Sequence, residues 1–104
     1  ALDALSNFEG IKILVTPSMV ELGDKEYESN FEFGVYATNV CDYIVLVGKE
    51  QTKPIYEGIV STKYSGERVI VVDTLNEGLA EIDKIESGDL PKVILLENDL
   101  PDNY

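Results

Sequence analysis

Apolar and polar positions follow two periods along this chain, and the switches between them mark the elements. Residues 11–15 (IKILV) are apolar except for Lys12, and the run stops at Pro17. Similar runs recur at residues 42–48 (DYIVLVG), 68–73 (RVIVVD) and 92–96 (KVILL). Unbroken runs, unlike strict alternation, suit strands covered on both faces. Between the runs the spacing changes to steps of three and four. Tyr27, Phe31, Gly34, Val35 and Thr38, widened by Phe33, Ala37 and Val40, predict a helix whose stripe faces the sheet. Glu26, Glu28 and Glu32 take its solvent side and complement the dipole near its N-terminus. Ile55, Tyr56, Ile59 and Val60 give a second helix its apolar side, and Leu75, Leu79, Ile82 and Ile85 form the cleanest 3.6-residue stripe.

Start and stop signals agree with this division. Asp24 and Thr52 are placed to cap the first two of these helices, and Pro54 is tolerated in a first turn. Thr74-Leu75-Asn76-Glu77 fits a capping box. Gly10, Gly48, Ser65-Gly66 and Ser87-Gly88 mark turns or helix ends. Residues 1–8 place Leu2, Leu5 and Phe8 on one helical face with no start signal before them. They read as the tail of a helix that begins upstream, which predicts a piece of a longer polypeptide. Residues 97–104 (ENDLPDNY) are a polar tail. Helix and strand thus alternate four times. Connections of this length demand parallel, right-handed crossovers, so the expected fold is a three-layer α/β domain with a mainly parallel sheet of at least four strands.

Composition narrows the function classes. With 104 residues and 44% hydrophobic content, the chain makes one ordinary domain with a single core. Twenty acids against eight bases give a net charge of −12, which repels a polyphosphate backbone. No basic patch with interleaved aromatics appears, so nucleic acid is not an expected partner. No apolar run approaches the length of a membrane span, and residues 1–10 do not form a signal peptide. A single cysteine allows no internal disulfide, which suits a reducing compartment. The absence of histidine removes Ser-His-Asp and Cys-His chemistry, and one cysteine cannot build a thiolate zinc site. Cys41 reads as a small buried hydrophobe.

Three local features invite chemistry. Gly48-Lys49 follows a strand, but a P-loop needs glycine where Tyr43 stands and Ser or Thr where Glu50 stands. Lys49 is then a surface lysine or a point charge for a phosphate. No GxGxxG dinucleotide fingerprint is present. Glu21 with Asp24, and Glu97 with Asp99, form two acid pairs after the first and last strands, the edge where α/β sheets place ligands. Such pairs orient Mg²⁺, bind an ammonium group, or stay solvated.

One stretch adds a family. Pro17-Ser18-Met19-Val20-Glu21-Leu22-Gly23 sits where the Mur ligases have Gly-Asp-Met-hydrophobic-Glu-Leu-Gly in their C-terminal domain. Phe33-Gly34 and the strand ending at Gly48 keep that family's spacing, the ALDAL segment matches its entry helix, and residues 93–96 lead into its closing loop. The whole chain resembles that domain, most closely in the branch that joins D-Ala-D-Ala to a UDP-MurNAc-tripeptide. Three loop positions depart from the pattern: Pro17-Ser18 replaces Gly-Asp, Asn30 replaces a histidine, and Glu97-Asn98-Asp99 replaces Lys-Gly-Ser.

The resemblance implies a Rossmann-like domain at residues 1–104, part of a cytoplasmic bacterial enzyme of peptidoglycan synthesis. The partners it implies are a central ATPase domain, an N-terminal UDP-sugar domain, the UDP-MurNAc-peptide and D-Ala-D-Ala. ATP and Mg²⁺ serve the full enzyme, with none held tightly by this chain. In that chemistry ATP activates a carboxylate as an acyl phosphate, which the amine of D-Ala-D-Ala then attacks. No catalytic residue and no metal ligand are expected here; the substrate- or nucleotide-facing loops are Ser18, Met19 and Glu21, and Glu97, Asn98 and Asp99. A different class of function, a stand-alone α/β binding or regulatory module, fits the composition equally. A small phosphate-handling enzyme is disfavoured by the missing P-loop.

Overall fold

The computed structural model describes residues 9–18 and 23–96. Four strands, β1 (Ile11–Thr16), β2 (Tyr43–Val47), β3 (Val69–Val72) and β4 (Lys92–Leu96), alternate with helices α1 (Glu26–Val40), α2 (Lys53–Val60) and α3 (Leu75–Asp83). The sheet is all parallel with order β3-β2-β1-β4. The fold is therefore α/β and Rossmann-like, as the alternation predicts. The helical reading of residues 1–8, which Gly10 was expected to stop, lies outside the described residues.

Handedness explains which face each helix takes. From β1 through β2 to β3 the chain steps in one direction, and α1 and α2 share one face of the sheet. On that face Leu14, Ile44 and Leu46 pack with Ala37, Cys41, Ile55 and Ile59. The chain then reverses, passing over two strands to β4. A crossover of unchanged hand must use the other face after such a reversal. Accordingly, Ile82 of α3 packs with Ile13, Val15, Val45, Val47 and Val72.

Register is set where β1 and β2 begin. The Lys12 N–H donates to the Asp42 carboxylate at 2.8 Å, and the Asp42 N–H donates to the Lys12 carbonyl at 2.7 Å. Ile13 then pairs with Tyr43 and the ladder follows. Residues 13–15 and 44–47 are fully buried, as expected for central strands covered twice. The flanking strands are less covered: Val71 of β3 is 40% exposed, and Ile94 and Leu96 of β4 are 42% and 53% exposed. An apolar run alone does not tell a flanking strand from a central one.

Several local expectations are corrected. Asp24 does not cap α1; it lies inside a 3-10 turn (Gly23–Lys25), and Lys25 takes the cap position with no side-chain bond. The buried face of α1 is Asn30, Gly34 and Ala37, whereas Tyr27 is 53% exposed and donates from its hydroxyl to Glu57 of α2 at 2.8 Å. The face is rotated because α1 must seat against α2 as well as the sheet, and that contact selects small residues. On α2, Ile55 and Ile59 are buried with Gly58, while Tyr56 and Val60 face outward. Thr52 occupies the cap position, but its hydroxyl donates back to the Gly48 carbonyl at 2.7 Å. The capping box at α3 is half formed. Thr74 accepts from the Glu77 N–H at 3.2 Å, while its own hydroxyl donates to the Glu77 carboxylate at 3.1 Å. Leu79 is partly exposed, and Gly78 lies beneath α3 against Val45.

Candidate functional site

In an open parallel sheet the crevice for a ligand forms where the strand order reverses, beyond the carboxyl ends. Here that point lies between β1 and β4. Val15 pairs with Leu96, so the segments that follow both strands leave from neighbouring backbones at the same edge. The two loops that sequence reasoning singled out thus begin side by side, although 80 residues separate them. Ser18 is the one candidate among the described residues, and it is 8% exposed. Met19, Glu21, Glu97, Asn98 and Asp99 lie outside the described residues.

The β1 end is built from buried polar groups. Thr16 is fully buried and its hydroxyl donates to the Pro17 carbonyl at 2.7 Å. That bond ties the side chain ending the strand to the first loop residue. Thr16 was not singled out in the sequence, because a threonine closing an apolar run carries no signal beyond strand propensity. Asn30, where the Mur pattern has histidine, is 1% exposed and donates from its amide to the Glu26 carbonyl at 2.8 Å. It stands one helical turn inside α1, the helix that follows the β1 loop. Asp24 is exposed on the turn before it.

The remaining candidates separate cleanly. Lys49 follows the tight Gly48 turn, whose φ of 96° glycine adopts without the clash a Cβ would bring, and it is exposed at the end of β2 rather than between β1 and β4. Cys41 lies at the opposite, amino end of β2. It is 5% exposed, and its carbonyl accepts from the Tyr64 hydroxyl at 2.8 Å. Burial first, and the Asp42 carboxylate second, push its thiol up to about 12. A thiol held protonated is a poor nucleophile, so its place is in the core. Among the described residues no group of three or more His, Cys, Asp or Glu is placed to hold a metal, and no helix is long and apolar enough to cross a membrane.

No protein-family model matches the sequence, and no curated protein matches it. Two solved structures share its fold. MurF from Acinetobacter baumannii matches with a TM-score of 0.67 and 22% identity over 91% of this chain and 21% of that one. MurF ligase from Thermotoga maritima, solved in complex with ADP, matches with a TM-score of 0.62 and 24% identity over 91% of this chain and 20% of that one. This chain therefore spans about a fifth of the length of the proteins it is similar to, and over that fifth it has their α/β fold.

Proposed function

We propose that this chain is the C-terminal domain of a Mur-type ATP-dependent amide ligase, closing over the nucleotide and the incoming amine. The supporting observation is the fold held in common with MurF over nine-tenths of the chain. The loop pattern at residues 17–23 and the junction of β1 with β4 agree with it. In this reading the natural polypeptide is cytoplasmic. It carries a central ATPase domain and an N-terminal domain for the UDP-MurNAc-tripeptide, and the amine component is D-Ala-D-Ala.

The reaction forms one amide at the expense of one phosphoanhydride. A carboxylate oxygen of the tripeptide attacks the γ-phosphorus of ATP and ADP leaves. The D-Ala-D-Ala nitrogen then attacks the activated carbonyl, loses a proton, and phosphate departs. This chain's contribution is placement and exclusion of water when the domains close. In this reading Ser18, buried two residues beyond the end of β1, belongs to the loop that meets the substrates, and the acids of the last loop suit an ammonium group. In this reading Mg²⁺ is held with the nucleotide by the central domain; among the described residues of this chain no group of three or more His, Cys, Asp or Glu is placed to hold a metal.

Because the phosphate-cradling loop lies in the central domain, the isolated chain should release no ADP from Mg²⁺-ATP with both acceptors present. It should also bind ATP only weakly. A coupled ADP assay on the purified 104-residue chain tests this. Turnover by that chain would overturn the reading in favour of a self-contained enzyme.

A further inference from the structure

The sheet ends at β4 on one side, and among the described residues no strand lies beyond it. One bond fixes how its backbone groups are turned. The Ile11 N–H donates to the Pro91 carbonyl at 2.9 Å, and Ile11 stands in register with Lys92. Along a strand the groups directed at one neighbour alternate, so Val93 and Leu95 are the residues that bond back to β1. Lys92, Ile94 and Leu96 therefore point their N–H and C=O groups away from the sheet. The opposite edge has less to offer. The Val72 carbonyl accepts from the Gly48 N–H, on the β2 side, which leaves Val69 and Val71 as the outward residues of β3.

The side chains along this edge are apolar and open. Lys92, Ile94 and Leu96 lie on the face that carries α3, and the Lys92 ammonium donates to the Ile82 carbonyl of that helix at 2.9 Å. The helix itself lies over β3 and β2. Ile94 and Leu96 are consequently 42% and 53% exposed. A bare sheet edge is a template for another strand, and proteins usually blunt it with a proline, a charge or a bulge. From Val93 to Leu96 there is no proline and no charge, and the register with β1 is unbroken. The one charge on the strand, Lys92, is turned to α3.

We propose that β4 pairs with β4 of a second copy of this chain, antiparallel and about a two-fold axis at Ile94, joining the two sheets edge to edge. In that register Ile94 faces Ile94, and Lys92 faces Leu96 on either side of it. These are the residues with outward backbone groups, so each facing pair can exchange both of its hydrogen bonds. The sequence is self-complementary in this arrangement. Lys92 stands at one end of the strand and Glu97 follows Leu96 at the other, so antiparallel pairing brings opposite charges together at both ends. Parallel pairing would set like beside like. Ile94 and Leu96 of the two copies then form one apolar strip on the α3 face. A contact about a two-fold axis closes with two copies, and one strand against one strand makes a small, reversible interface. Nothing in this pairing depends on the ligase reading.

The test is sedimentation equilibrium of the 104-residue chain, from about 10 µM to about 1 mM, in salt that screens its net charge of −12. The mass should rise with concentration from 11.5 kDa toward twice that value. Ile94→Lys and Ile94→Glu alter a side chain that is already 42% exposed, and each sets like charges across the axis. Each variant alone should keep the monomer mass throughout, and an equimolar mixture of the two should restore the rise. Amide hydrogen exchange reads the same contact without substitution. Exchange at Ile94 and Leu96 should slow about tenfold at the highest concentration, while Val93 and Leu95 are protected at all concentrations. A monomer mass at every concentration would overturn the proposal. So would single variants that associate like the wild type, a mixture that stays monomeric, or exchange at Ile94 and Leu96 that ignores concentration.

Discussion

Replacing Gly34 by alanine is expected to destabilise the domain by about 3 kcal/mol, and Gly58→Ala should do the same. The two glycines face each other across the α1–α2 crossing. A Cβ at Gly34 would run into the carbonyl oxygen of Ile55 on α2, and one at Gly58 into the carbonyl oxygen of Phe31 on α1. Overpacking ordinarily costs about 1–3 kcal/mol where side chains can yield. Here the obstacle is backbone on both sides, so relief requires the helices to separate. That separation would pull Ile55, Ile59 and Ala37 off the sheet, where all three are buried. For a domain of about 100 residues such a loss lowers Tm by roughly 12–24 °C. Gly66→Ala is the control: nothing lies within 4 Å of its added Cβ, and its stability should stay within about 0.5 kcal/mol. Thermal and urea unfolding of the three variants decide the matter. Gly34→Ala matching Gly66→Ala would mean that the helices do not cross this closely.

The second large effect concerns Cys41. With its thiol pushed up from 9.0 to about 12, its thiolate fraction at pH 8 falls about a thousandfold. Iodoacetamide should therefore label the native chain at least that much more slowly than the unfolded chain. The same shift makes stability depend on pH. Below about pH 9 the thiol is protonated in both states and contributes no slope. Above it the unfolded chain loses a proton that the folded chain keeps, so stability falls by up to about 1.4 kcal/mol per pH unit until the folded value is reached. Tyr64, whose hydroxyl is bonded to the Cys41 carbonyl, is also held protonated, chiefly by burial, and adds a loss of the same sign above its ordinary value near 10.0. Cys41→Ala should remove the decline between pH 9 and 10 and leave the later one. Urea unfolding at pH 8, 9.5 and 10.5 separates the two. Parallel losses in wild type and Cys41→Ala from pH 9 would contradict this assignment.

The sequence made the alternation of elements legible because buried strands and amphipathic helices differ in period. The run KVILL matches β4 residue for residue, and RVIVVD brackets β3. The facing of α1 was less legible. Tyr27, Phe31 and Val35 carry the greatest apolar area and so dominate a periodicity reading. Close helix crossing instead selects the smallest side chains, and Gly34 and Ala37 turn inward while Tyr27 bonds laterally to Glu57. Caps misled for a related reason. Asp24 and Thr52 are good cap residues, but a 3-10 turn shifts one from the helix start, and the tight Gly48 turn captures the other's hydroxyl.

The candidate site shows the same division. Loops after strands one and four could be marked from order alone, because α/β sheets bind ligands at carboxyl ends. Their adjacency could not, since alternating helices and strands are compatible with several strand orders. The observed β3-β2-β1-β4 order puts β1 beside β4, so the two loops leave from neighbouring strands. A groove beyond the carboxyl ends of β2 and β3 was invisible for a further reason. Lys53 and Tyr56 of α2, Asp73 just after β3 and Glu77 of α3 are scattered along the sequence and form no motif. The Gly48-Lys49 pair drew attention only as a failed P-loop.

The most direct test of the ligase reading is ADP release by the natural full-length polypeptide that contains this domain. It would be supplied with Mg²⁺-ATP, UDP-MurNAc-tripeptide and D-Ala-D-Ala, and each component would be omitted in turn. The reading predicts a polypeptide several-fold larger than 11.5 kDa. Its ADP release should require both the tripeptide and the dipeptide. A natural polypeptide near 11.5 kDa, or ADP release indifferent to those two acceptors, would contradict it.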